Sequence, residues 1–93
     1  MRPSVEISEQ APQRRKGLHV REIDGETVIL DQKNERMHSL NATAAYIFDS
    51  VDGRRTVKQI SEDLAEGFQI TLELAERDTK VLLDQLRELK VIE

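Results

Sequence analysis

Two histidines, a serine beside one of them and a scatter of carboxylates are the residues of this chain best able to do acid–base or nucleophilic chemistry. His19 and His38 do not form the close His-x-x-x-His pair that sets two imidazoles on one metal. The chain has no cysteine to complete a ligand set or to act as nucleophile. Ser39 stands without the flanking glycines of a nucleophile elbow. The carboxylates are dispersed along helix-like segments, as on solvated helix faces. Gly17, Gly25, Gly53 and Gly67 are single residues, so no loop cradles a phosphate. The histidines read as strand-surface residues, and no catalytic group, metal or cofactor is expected. What remains is recognition: backbone hydrogen bonding along a strand, and side-chain pockets along a helix.

Three strands and three helices must position such a surface. Leu18-His19-Val20-Arg21-Glu22-Ile23 alternates as a strand does. Asp24-Gly25 follows, a tight-hairpin signal because both positions tolerate positive φ. Glu26 to Leu30 is β-rich and reads as the returning strand. After the polar turn 31–35, Arg36-Met37-His38-Ser39-Leu40 reads as a short third strand.

Asn41 is a good N-cap, and Ala44, Ile47, Phe48 and Val51 follow on one helical face. Gly53 can take the left-handed conformation that stops that helix. Thr56 and Gln59 have capping-box spacing. Val57, Ile60, Leu64 and Phe68 form the stripe behind them, with Gly67 as the expected stop. Thr71 caps a third helix running to about Leu89. Its core stripe is expected at Leu72, Ala75, Thr79, Leu82, Leu86 and Leu89. A second row, Leu74, Asp78, Val81 and Gln85, lies on one flank, and Leu83 on the other. The fold class is α+β, winged-helix-like, a three-stranded antiparallel sheet followed by three helices.

Ninety-three residues make one domain. Residues 1–16, with Pro3, Pro12 and no sustained period, read as a flexible tail, and 17–93 as the folded unit. The net charge of −4 is uneven. Residues 1–17 carry four basic and two acidic side chains (+2), and residues 18–93 carry ten and sixteen (−6). No apolar run reaches the roughly 18–20 residues that span a bilayer, and the N-terminus lacks the apolar core of a secretory signal. The expected location is cytoplasmic, away from membranes.

The wide apolar surface of the third helix has three readings: a core that wraps it, a homodimer contact, or a binding groove. The second and third helices could also form a helix-turn-helix. The start of the third, Thr71-Leu72-Glu73-Leu74-Ala75-Glu76, has two glutamates where a DNA reader supplies lysine and arginine. Nucleic acid is thus a poor partner for an acidic body. Strand addition fits the layout better: an extended peptide can pair with the third strand while the long helix supplies pockets.

The series Leu40, Asn41, Thr43, Ala44, Ile47, Asp52, Gly53, Arg54, Thr56, Val57, Ile60 and Leu64, with Asp78, Val81, Leu82, Leu86 and Val91 after it, resembles the PqqD-like family over roughly residues 18–93. The resemblance implies a non-enzymatic peptide-recognition element of three strands and three helices. Family members bind the leader of a ribosomally made precursor peptide and present it to a modifying enzyme, often a radical S-adenosylmethionine enzyme. The pathway is pyrroloquinoline quinone synthesis or that of another modified peptide. Carried to this chain, Arg36, Met37, His38, Ser39 and Leu40 would form one side of the groove, and Leu74, Asp78, Val81 and Gln85 the other. Arg77 or Lys80 would pair with acidic leader side chains.

Overall fold

The computed structural model describes residues 10–93. Strand β1 (His19–Ile23) returns as β2 (Glu26–Asp31) through Asp24 and Gly25, with φ of 51° and 81°. Both turn residues are left-handed, as a two-residue hairpin matching the strand twist requires. β2 then pairs with β3 (Arg36–Leu40), Ile29 opposite His38 and Thr27 opposite Leu40. The second turn is held by the Asp31 carboxylate, which accepts from the Asn34 amide (3.3 Å) and from Asn34 Nδ2 (2.8 Å). The sheet is a plain meander, β1-β2-β3, so β1 and β3 are both edges.

Helix α1 (Ala42–Asp49) starts one residue after β3, its first turn closed by Asn41 Oδ1, which accepts from the Ala44 amide at 2.8 Å. Ala44, Ile47, Phe48 and Val51 are all buried, as their spacing implies. The Asp52 carboxylate accepts from the amides of Arg54 and Arg55, both at 2.9 Å. These two bonds pull its pKa below the usual carboxylate value. α2 (Val57–Phe68) opens with the reciprocal Thr56–Gln59 capping box. α3 (Leu72–Glu88) opens with Thr71 Oγ1 accepting from the Leu74 amide at 3.1 Å.

Three details depart from the sequence expectations. Gly67 does not stop α2. It lies within the helix, beside the Tyr46 ring, and Gln69 adopts the left-handed cap at φ 53°. Phe68 lies at the helix end and is exposed, its ring edge-on to Tyr46 at 5.5 Å between centroids. The core line of α3 is Ala75, Thr79, Leu83 and Leu86. Leu72 is exposed, and Leu82 and Leu89 are half-buried. The helix is thus rolled toward Leu83, because α3 packs on α1 and α2 and makes no close approach to the sheet.

The tail expected over residues 1–16 is docked over residues 10–16; residues 1–9 lie outside the described residues. The Val57 amide donates to Gln10 O (2.8 Å), Gly53 to Pro12 O (2.9 Å), Glu93 to Gln13 O (2.7 Å), and Arg15 to Val91 O (2.9 Å). The Arg14 guanidinium lies 5.6 Å from the centroid of the Phe48 ring. Arg15 pairs with Asp31 at 2.6 Å and donates from Nε to Lys90 O at 2.8 Å. The Asp31 side chain is fully buried. The Asn34 side chain and Arg15 together hold its pKa down, from 3.8 to about 2. Most of the strap's docking is made by its backbone, with Gln10, Pro12 and Gln13 offering carbonyls and Arg15 its amide, so it needs no periodic pattern.

Candidate functional site

Alternate residues of an edge strand turn their amides and carbonyls outward, away from the sheet. β1 and β3 both do so, but only β3 does it beside a helix. α1 touches β3 on one side and α3 on the other, while the β3 and α3 backbones stand further apart. Between them lies a cleft about 430 Å³ in volume, lined by Met37, His38, Ser39 and Leu40 from β3 and by Leu82, Gln85, Leu86 and Leu89 from α3. Asn41 and Ala44 form its far end and continue into a second hollow of about 330 Å³. There Thr43 and Ile47 face Asp78, Val81, Leu82 and Gln85. The two hollows share Asn41, Ala44, Leu82 and Gln85, and so form one path along α3.

Seven of the ten residues expected at a peptide site come together on this path: Met37, His38, Ser39, Leu40, Asp78, Val81 and Gln85. Three do not. Leu74 and Arg77 share a different depression with Thr71 and Glu73, one to two turns nearer the start of α3. Arg36 belongs to a hollow at the β2–β3 turn with Leu30, Asp31 and Glu35. Lys80 lies with Leu72, Glu73, Glu76 and Arg77, where cations and carboxylates alternate. Of the helical row starting at Leu74, Asp78, Val81 and Gln85 line this path, and Leu74 lines the other depression.

The sequence reading missed the floor. From the sequence Asn41 is a cap, Ala44 and Ile47 belong to a core face, and Thr43 enters only through the family resemblance. A signal was present: Asn41 follows β3 directly, so the first turn of α1 has to lie at the end of that strand. Leu82 was placed in the core, yet it is half-buried and lines both hollows.

The cleft has side chains suited to holding a peptide. Met37 and Val81 are large apolar groups left 66% and 52% exposed, one on each bank. His38 Nε2 is buried with no hydrogen-bond partner among the described residues. No group of three His, Asp or Glu side chains among the described residues is arranged to hold a metal ion.

Residues 26–92 match the family model described as coenzyme PQQ synthesis protein D (PqqD). The chain belongs to the PqqD family. Its fold is similar to the solution structure of the PqqD truncation of Methylobacterium extorquens PqqCD, a functional, stand-alone recognition element for ribosomally synthesized and post-translationally modified peptides. The two are 25% identical over 94% of this chain and 96% of that one, with a TM-score of 0.75. It is similar also to lasso peptide synthetase B1 complexed with the leader peptide (24% identity, 89% and 98% coverage, TM-score 0.80). A third similar structure is TbiB1 in complex with the TbiA(beta) leader peptide (18%, 87% and 94%, TM-score 0.78). No curated protein matches the chain. In this PqqD-family fold no described helix is long and apolar enough to cross a membrane.

Proposed function

We propose that this PqqD-family protein is a non-enzymatic adaptor that binds the leader of a ribosomally made precursor peptide and presents it to a modifying enzyme in the cytoplasm. The enzyme would be a radical S-adenosylmethionine enzyme or another peptide-modifying enzyme. The product would be pyrroloquinoline quinone or another modified peptide. The observation that carries this reading is the gap between the free edge of β3 and α3, floored by the first turns of α1. An extended leader would pair its backbone with β3 and set alternate side chains against α3. Met37, His38, Ser39 and Leu40 would supply the pairing bank, and Val81, Leu82, Gln85 and Asp78 the pockets. Two of the similar structures hold leader peptides, which supports the same reading. Leu74, Arg77 and Arg36, set apart from the cleft, would contribute at most to the flanks of a longer leader.

An amide-shift titration with the leader peptides encoded beside the gene tests this. Shifts should concentrate at residues 37–41 and 78–86. Shifts with short duplex DNA at residues 71–80, and none with any leader, would overturn the adaptor reading. A dimer that covers Val81 and excludes the leader would do the same.

A further inference from the structure

The two hollows of the cleft are not chemically alike. The one between Met37, Leu86 and Leu89 is walled by aliphatic side chains, with His38 and Gln85 at its sides. The one beyond Asn41 contains Asp78, half-buried, facing Thr43 and Ile47 across the gap. Asp78 is the one carboxylate among the residues that line the path, and no lysine or arginine joins it there. It has no ion-pair partner among the described residues, whose three pairs are Arg15–Asp31, Arg55–Asp52 and Arg87–Asp84. Its helix neighbours Arg77 and Lys80 line the other depression, against Glu73 and Glu76. A lone, half-desolvated carboxylate in a groove otherwise free of formal charge favours a cationic occupant and disfavours an acidic one.

The spacing follows from the geometry. From Asp78 to Leu89, α3 advances about 16 Å, the length of about five extended residues. A segment lying along β3 turns every second side chain to the same side. About three side chains therefore face α3: those beside β3 meet the aliphatic walls, and one past the end of β3, where α1 walls the hollow, lies near Asp78. We propose that Asp78 makes the cleft selective for leader segments carrying a lysine or arginine two or four residues from an aliphatic side chain. The inference rests on the leader-binding reading above and narrows its ligand to basic, amphipathic strands.

The test uses the full chain and labelled synthetic peptides with a Lys-Thr-Leu-Thr-Leu centre, the same centre reversed, and counterparts with norleucine or glutamate in place of the lysine. Affinity is read by fluorescence anisotropy and location by amide shifts. In one of the two orders, the lysine peptide should bind about five- to tenfold more tightly than its norleucine and glutamate counterparts. The preference should fade in high salt, vanish in Asp78→Asn and invert toward glutamate in Asp78→Lys. Equal affinities, with shifts still at 37–41 and 78–86, would overturn the selectivity and leave the leader cleft standing. A lysine preference that survives in Asp78→Asn would do likewise. If neither these peptides nor the gene-encoded leaders shift those amides, the cleft reading falls and the selectivity with it.

Discussion

Among the described residues the sheet has two edges of equal length, and they differ in what stands opposite them. β1 and β3 are each five residues long and each pairs on one side only, with β2. Among the described elements β1 packs on β2 alone, and all five of its residues are exposed, Val20 by 41% and Ile23 by 48%. β3 leads straight into α1, buries Leu40 and half-buries His38, and looks across a gap at α3. Backbone hydrogen bonds along either edge would be similar, and each is worth little once water is displaced. What differs is the opposite wall. β3 offers an extended chain both pairing and side-chain burial, while β1 offers pairing alone. A sheet edge offers more to an extended chain when a helix stands beside it across an open cleft.

The wall is the first thing to break. Leu83 and Val81 are two residues apart on α3, and one faces the core while the other faces the cleft. Leu83 is 1% exposed, so Leu83→Ala should cost about 2–5 kcal/mol of stability, read as a large fall in the chemical-denaturation midpoint. Val81 is half-exposed, so Val81→Asp should leave that midpoint nearly unchanged. It should weaken leader binding by at least about tenfold, because it removes an apolar wall and sets a second carboxylate beside Asp78 that a single leader cation does not offset. Unchanged affinity in a folded Val81→Asp protein would mean that β3 binds without its wall, and the contrast between the edges would lose its basis.

The strap gives a pH dependence. Asp31 holds the turn that leads into β3 and ties it to Arg15, and its pKa lies near 2 instead of 3.8. A carboxylate depressed in the folded state stabilises the fold fully above its unfolded value, and that contribution is lost as pH falls through 3.8 toward about 2. Asp52, also depressed, acts in the same direction. Denaturation midpoints should therefore fall in this window, and fall less steeply in Asp31→Asn. The variant should be the less stable protein at neutral pH, since it leaves Arg15 without its partner. An equal acid slope in both proteins would show that the strap is not what Asp31 protects.

The parts that were legible in the sequence are those whose signals are local. Asp24-Gly25 announced the hairpin, Asn41, Thr56 and Thr71 the three caps, and the Ala44–Ile47–Phe48–Val51 spacing the face of α1. The fold class followed from their order. The roll of α3 was not legible, because the apolar side chains at 72, 74, 75, 81, 82, 83, 86 and 89 spread over about 200° of the wheel. Only the position of α1 and α2 decides that Leu83 is covered while Leu82 is left at the cleft. The strap was hidden for a different reason: much of its docking is made by main-chain groups, which carry no residue signature, and its Arg14–Phe48 and Arg15–Asp31 contacts join residues far apart in the sequence. The floor of the cleft, Asn41 to Ile47, was hidden behind a second role, since capping and core packing already accounted for those residues.

The smallest expected effect is also the sharpest test of the two-edge contrast. Val20 and Ile23 are the large apolar residues of β1, exposed enough to look like a docking patch. Lysine at either position adds charge to an edge that packs on no helix, in the manner of the charges that keep natural sheet edges from pairing. Val20→Lys and Ile23→Lys should leave leader affinity within about twofold and stability within about 0.5 kcal/mol, as surface changes usually do. Their amides should not shift when leader is added to the unmodified protein. A large loss of affinity in Ile23→Lys, with the β3 shifts retained, would mean that a bound leader reaches both edges. The site would then be a wrap around the sheet, with α3 as one contact among several, and the Asp78 preference would weaken in proportion.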